Sequence, residues 1–308
     1  SMKVSTSYLF DRATGQMADV QNRLAKIQAQ AAQGKQVIAP SDAPEQAAAI
    51  QRLKGMIGRQ DDYLGTLEVV SRRLQDEEAY LQSANDTLIR MTELAMQAAN
   101  DTYSGVNREA IGIEMRSLRD QLMSIANAQD ADGDFLFAGG RSMAAPYAQD
   151  ERGRVVYSGD QTRLEVLAGD SRRIQINRSG SDVFVGAVRY TPTGEPYNAE
   201  FFTVLDDLVE AVEQGDHQGM TQGASEITSL LDGISLGLGA VGADLNVAER
   251  QKDLVSGVKL RLQTTLSSVE DLDYAEAITR MNKEMLALEA AQSSFAKISQ
   301  LNLFNYIN

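Results

Sequence analysis

Residues 10–31, FDRATGQMADVQNRLAKIQAQA, carry the pattern from which the fold is read. Phe10, Ala13, Met17, Val20, Leu24, Ile27 and Ala31 recur in alternating steps of three and four, the spacing of a heptad seam. A stripe of about three heptads predicts an amphipathic helix that needs a partner, because it is too narrow to build a core alone. Gly34 supplies a stop, and Ser41-Asp42 followed by Pro44 and Glu45 reads as an N-cap with an acid in the first turn. The next helix should begin near Ala43 and run to about Ala99. In it Val70, Leu74, Glu77, Leu81, Ala84, Leu88, Met91 and Ala95 again step by four and three. At 1.5 Å per residue that helix spans roughly 85 Å, which predicts an elongated body. Gly55, Gly58 and Gly65 weaken its first half.

Working outward, the five prolines fall at 40, 44, 146, 192 and 196, leaving 45–145 and 197–308 free to be helical. Asn100 to Gly105 reads as a loop. A further stripe of Ile111, Met115, Leu118, Leu122 and Ile125 predicts a helix over 107–129 that folds back on its predecessor. The middle changes character. Arg154-Val155-Val156-Tyr157, Leu164 to Leu167, Arg173 to Ile176 and Val183-Phe184-Val185 are short β-branched runs between turn residues, and predict antiparallel strands in a β-rich insertion over 131–199. After Pro196 the helical pattern returns with Phe201, Phe202, Leu205, Leu208, Val209 and Val212, then a glycine-punctuated helix from Ser225 to about Ser268. A last stripe carries Ile278, Met281, Met285, Leu288, Gln292 and Phe295. The fold class is therefore mainly α with a β-rich insertion, and the two terminal stripes are natural partners.

Composition narrows the function. The 308 residues hold 29 Lys plus Arg against 43 Asp plus Glu, a formal charge of −14, with no Cys and no Trp, and with His217 as the one imidazole. Thiol nucleophiles, disulfide frameworks and zinc sites of Cys and His are excluded. The acidic balance argues against nucleic acid and against an anionic membrane surface. Ser1 to Ser5 lacks the apolar core of a signal peptide, and Met2 is expected to be the native start. No uninterrupted apolar run reaches 18 residues, so no membrane insertion is expected.

Several motifs match chemistry only in spelling. Gly237-Leu238-Gly239-Ala240-Val241-Gly242 reads G-x-G-x-x-G, but a dinucleotide site needs a strand before it, and here a helical pattern stands on both sides. Gly233-Ile234-Ser235-Leu236-Gly237 spells a nucleophile elbow, whose histidine follows the serine in chain order; none follows 217. Asp130 to Asp134 opens like an EF-hand, yet its glycine is at position 4 and its twelfth residue is Arg141. His217 follows Asp206, Asp207, Glu210, Glu213 and Asp216, acids that spread around a helix as a solvated face. The glycosylation triplets at Asn85, Asn100 and Asn177 carry little weight without a secretory signal. Neither a catalytic constellation, a metal site nor a cofactor site is expected.

The order of several segments resembles a family, that of the bacterial flagellar hook-associated protein 3, the hook-filament junction protein related to flagellin. The resemblance rests on Met2 to Ser7, on Gly34-Lys35-Gln36-Val37-Ile38-Ala39-Pro40-Ser41-Asp42-Ala43-Pro44, and on Gly133-Asp134-Phe135-Leu136-Phe137-Ala138-Gly139-Gly140. It extends to Tyr157-Ser158-Gly159-Asp160, Gly180 to Phe184, and Val241 to Asn246, where Asp244 stands in place of the usual Arg. It implies a flagellin-like rod of long antiparallel helices. Residues 2–43 with 269–308 would form a terminal coiled coil lining an inner tube, 44–130 with 200–268 a helical rod, and 131–199 an outer β domain. It also implies a structural rather than an enzymatic part, exported by the flagellar type III apparatus to the outside of the cell. The implied partners are hook-associated protein 1, flagellin, further copies of the chain in a ring, and an export chaperone at the C-terminal segment. Phe10, Met17, Val20, Leu24 and Ile27 with Ile278, Met281, Met285, Leu288 and Phe295 would make the intersubunit seam. Flagellin itself is the nearest alternative, and a non-flagellar secreted coiled-coil scaffold is another.

Overall fold

A computed structural model describes residues 2–100, 105–141 and 143–307. In chain order the elements are α1 (Met2–Gln33), α2 (Pro44–Ala98), α3 (Gly105–Ala126), β1 (Tyr147–Gln149), β2 (Val155–Tyr157), β3 (Glu165–Leu167) and β4 (Arg173–Gln175). They continue with α4 (Gly180–Val183), β5 (Ala187–Tyr190), β6 (Pro196–Ala199), α5 (Phe201–Gln214), α6 (His217–Glu270) and α7 (Tyr274–Ile307). The chain is mainly helical with small antiparallel sheets, as its patterning predicts. Two compact units result: one holds the residues up to Arg59 with those from Gly257 on, the other holds Gln60–Ser256.

In the first unit α1 and α7 pack antiparallel, with Phe10 against Phe295 at 5.2 Å between ring centroids and Arg23 bonded to Glu284 at 3.2 Å. Gly34 ends α1 in the left-handed region at φ 69°, where an added Cβ would lie 2.9 Å from the Tyr274 hydroxyl, so glycine serves both the turn and the fit. Pro44 takes the first helical position of α2, where its missing N–H costs nothing. The Asp42 carboxylate, which the sequence marks as a helix cap, instead accepts from the Ala39 N–H at 3.0 Å and closes the preceding turn.

The second unit is organised by α2. Leu67, Val70, Leu74, Glu77, Leu81, Ala84, Leu88, Met91, Ala95 and Ala98 are all buried, an unbroken three-four stripe. Met115 and Leu122 of α3, Phe201, Phe202 and Leu205 of α5, and Ile227, Leu230, Ile234 and Val241 of α6 complete the core. Arg119 of α3 bonds Asp206 of α5 at 2.7 Å. One 18-residue window within α6 reaches a mean hydropathy of 1.3, apolar enough by length and composition to cross a membrane although it is not an uninterrupted apolar run. Among the described residues the named strands pair as three two-stranded hairpins: β1–β2, β3–β4 and β5–β6.

Three expectations are corrected. Val183-Phe184-Val185 is not a strand: α4 ends at Val183, and the Phe184 N–H donates to the Gly180 carbonyl at 2.8 Å. Val183 and Val185 instead rest on α6 at Gly237 and Gly233, where an added Cβ would meet their side chains at 3.0 and 2.1 Å. α6 begins at His217, not Ser225, because Gly215 terminates α5 in the left-handed region and the Asp216 carboxylate accepts from the Gly219 N–H at 3.1 Å. Gly105 belongs to α3 rather than to the preceding loop, of which residues 101–104 lie outside the described residues. Since Leu88 sits in the middle of the α2 stripe with no exposed surface, Leu88→Ala is expected to lower unfolding free energy by about 2–5 kcal/mol in urea titration; a change within error would contradict the burial.

Candidate assembly surface

The paired terminal helices are built around small residues. Within a single chain Val20 and Ile27 of α1 are buried, together with Ala13 and with Ala277 of α7, while Phe10, Met17, Leu24, Met281, Leu288 and Phe295 are half-buried. Ile278 and Met285 behave otherwise: they are 56% and 53% exposed. The face that α7 turns to α1 carries Ala277 and Glu284, each one residue before the more hydrophobic Ile278 and Met285. Alanine lets the backbones approach, and Glu284 reaches Arg23. A cavity of about 440 Å³ between Ala13, Val20, Ala287 and Ala291 shows how little side-chain volume this stretch of the seam holds. Beyond it Leu301, Leu303, Phe304 and Ile307 stand largely exposed at the end of α7, and Tyr8 and Leu9 are exposed near the start of α1.

The inner end of this pair is fixed by a clasp between two turns. The Gln36 N–H donates to the Glu270 carbonyl at 2.8 Å and the Leu272 N–H to the Gly34 carbonyl at 3.0 Å. The buried Glu270 carboxylate is held by Lys35 at 2.8 Å and by Lys54 at 3.4 Å. The hydrogen bond from Lys35 holds Glu270 below its ordinary value, and the same bond raises Lys35.

In the second unit the segments that carry the family resemblance converge on one place. The Phe137 carbonyl accepts from the Gly180 N–H at 2.8 Å, and the Gly139 N–H donates to the Arg178 carbonyl at 2.9 Å. Asp160 accepts from the Gly140 N–H at 2.7 Å and from the Thr162 N–H at 3.0 Å, bonds that hold its carboxyl below the ordinary aspartate range. Gly139, at φ 64°, has the Asp160 carbonyl where a Cβ would be, 2.2 Å away. Beneath this crossing Arg178 bonds Glu77 at 2.9 Å and Asp244 at 2.6 Å, while Arg73 reaches Glu77 at 3.6 Å and Asp130 at 3.2 Å. Glu77 has no exposed surface; burial raises its pKa, against the opposing pull of Arg178. Asp244, the departure from the family pattern, is thus a partner of Arg178. Pattern reading marks Glu77 as a polar break in an apolar stripe, with Arg73 one turn before it, but its nearer partner Arg178 lies 101 positions on (178 − 77) and is invisible to periodicity.

The spelled motifs dissolve. Gly233 to Gly242 lies wholly inside α6, with neither a strand before it nor a turn at Ser235. His217 is the first residue of α6, and among the described residues no group of three His, Cys, Asp or Glu is placed to hold a metal. Asp130 Oδ1 accepts from the N–H groups of Asp132 and Asp134, a polar turn. Asn177 is buried, its side chain bonded to Leu164 and Thr162.

Long paired terminal helices around an inserted β region define a flagellin-type axial protein. The chain matches the bacterial flagellin N-terminal helical region over residues 4–142 and the bacterial flagellin C-terminal helical region over 224–307, and belongs to the flagellin-related family. It is 24% identical to flagellar hook-associated protein 3 of Salmonella typhimurium and 25% identical to that of Escherichia coli, with 98% of this chain and 99% of each relative covered. The solved flagellar hook-associated protein-3 of Legionella pneumophila shares the fold, with a TM-score of 0.63 at 17% identity over 71% of this chain and 98% of that one.

Two outcomes test the charge arrangement. Arg178→Met leaves Glu77 buried without its principal partner and is expected to cost about 3–5 kcal/mol at neutral pH in urea unfolding. With its pKa raised further, Glu77 takes up a proton as pH falls, so the deficit shrinks in acid; a pH-independent deficit would point to lost packing instead. For the clasp the sign is opposite. Glu270 sits below its ordinary 4.5 in the folded chain, so its contribution is present above that value and lost as pH falls through the depressed one. Protection factors at the Gln36 and Leu272 amides should fall with acid in the parent and be low at every pH in Glu270→Gln.

Proposed function

We propose that the chain is the junction component of the bacterial flagellum, joining the hook, through hook-associated protein 1, to the flagellin filament. The observation that carries this reading is the coverage of essentially the whole chain, β insertion included, by hook-associated protein 3 relatives. The part is mechanical and catalyses no reaction. It travels unfolded through the flagellar export apparatus without a cleaved signal, guided by a chaperone on the C-terminal segment, and assembles outside the cell as a ring of copies. The ring is lined by residues 2–43 and 269–308, walled by 44–130 and 200–268, and faced by 131–199.

The supporting physical argument is local. An α1–α7 seam of alanines, Val20 and Ile27 gives at most about 1–2 kcal/mol per large side chain, against an ordering cost above about 1 kcal/mol per residue. Neighbouring subunits supply the remainder by covering Ile278, Met285 and the exposed end of α7. In this reading Phe10, Met17, Val20, Leu24, Ile27, Met281, Leu288 and Phe295 shape the pair, and Ile278 and Met285 touch the neighbour.

Deleting the gene should leave hooks without filaments and release flagellin monomers into the medium, seen by electron microscopy and immunoblot; normal filaments would overturn the reading. Ile278→Asp with Met285→Asp should preserve secretion and helical content yet leave cells without filaments, whereas full complementation would remove those two side chains from the interface. Amide exchange across α1 and α7 should slow when the ring forms.

A further inference from the structure

The β5–β6 hairpin has two unlike faces. Arg189 bonds Glu226 of α6 and Asp207 of α5, each at 2.7 Å, so the face it shares with the buried Ala187 and Ala199 is laid against the helices. Directly opposed residues share a face and successive ones alternate. Val188 with Asn198, and Tyr190 with Pro196, therefore make the other face, on which Val188 and Tyr190 are 62% and 68% exposed. The Thr191 N–H donates to the Glu195 carbonyl, which makes that a bonded pair and the Val188 and Tyr190 positions non-bonded ones, their N–H groups directed away from β6. Among the described residues no strand pairs with β5 on that side. The far edge of β6 is weaker, since Pro196 has no N–H to offer.

This face runs into a cavity of about 180 Å³. Its floor is the buried Tyr147, Phe184, Phe201 and Phe202; the exposed Asn198 and Glu200 stand at its mouth. Pockets for cofactors and drug-sized ligands begin near 300 Å³, so this one suits a single ring or a branched aliphatic side chain. The Glu200 side chain makes no capping bond to α5. It places a carboxylate at the mouth, in a chain of net charge −14.

We infer that the outer face of β5 and the aromatic cavity form a docking surface for an extended segment of a different protein. That segment adds as a strand to the β5 edge, seats one aromatic or branched aliphatic side chain in the cavity, and places Lys or Arg beside Glu200. The recurring logic is main-chain pairing for affinity and a side-chain pocket for specificity. A second copy is disfavoured as occupant because it brings the same acids to the contact.

The test is titration of the full-length protein, ¹⁵N-labelled at valine and tyrosine, with three probes: acetyl-Arg-Phe-Val-Arg-Val-amide, the same peptide with Glu for Arg, and the same with Ser for Phe. Saturable shifts at Val188 and Tyr190 with the first probe are expected, with binding about tenfold weaker for each of the others. Glu200→Gln, at an exposed position, should close the gap between the Arg and Glu peptides, and Asn198→Trp should block the cavity and the binding. The inference is overturned by the lack of saturable shifts at millimolar Arg peptide, by equal binding of the three peptides, or by concentration-dependent shifts of Val188 without peptide, which would make the face a self-contact.

Discussion

Neither α1 nor α7 can bury its apolar stripe alone, and their mutual pairing is the constraint on which the first unit depends. Two strips of small residues meet antiparallel only if the chain between them returns to where it left. The return is fixed within a few residues, by the backbone bonds from Gln36 to Glu270 and from Leu272 to Gly34. Those bonds close a loop of more than 200 residues, for which the entropic cost grows only as the logarithm of length. Enclosing Glu270 between Lys35 and Lys54 concentrates charge at that closure, so the clasp is specified by electrostatics as well as by fit.

The second unit solves a different problem, the attachment of a β-rich excursion to a helical core. Here the sequence places a carboxylate, Glu77, inside the α2 stripe, and the excursion returns Arg178 to meet it. Breaking such a pair strands a buried charge, whereas an apolar pair of similar shape would serve stability equally well. The acid's value lies in register. The placement of residues 137–140 and 178–180 satisfies Arg178 and Asp160 together, and the glycine at 139 admits the Asp160 carbonyl where any side chain would collide.

How far the sequence disclosed this follows from where the information sits. The α2 stripe and the Pro40–Pro44 turn were legible because periodicity, proline and glycine act within a few residues. The start of α6 was missed because its signal, Asp216 after Gly215, is a cap inside an acidic run that reads as mere charge. Val183-Phe184-Val185 has the composition of a strand, but its neighbours are the helical glycines 233 and 237, 48 positions beyond Val185 and 54 beyond Val183 (233 − 185 and 237 − 183). Those same glycines supplied the apparent nucleotide and hydrolase motifs, so a single tertiary contact removes one strand and explains two of the glycines behind both false signatures. In the terminal pair hydrophobicity selects Ile278 and Met285, whereas close approach selects Ala277 and a charged Glu284. A scale of apolarity cannot see that distinction.

That offset bears on the order of assembly. Large apolar side chains outside the intrachain seam cost nothing in an already paired monomer, but each is worth about 1.5–3 kcal/mol once a neighbour covers it. Ile278 and Met285 together give about 3–6 kcal/mol, at or below the about 4–15 kcal/mol that association costs. A pair of monomers therefore gains little from this patch alone, and Leu301, Leu303, Phe304 and Ile307 must be covered in the same step. In the proposed reading a preformed ring of acceptor sites would do this, because it presents several contacts to each arriving chain and pays the orientational cost once. In the proposed reading such a part is expected to add to a template with several acceptor contacts rather than to pair in solution, which suits a layer set between two different structures.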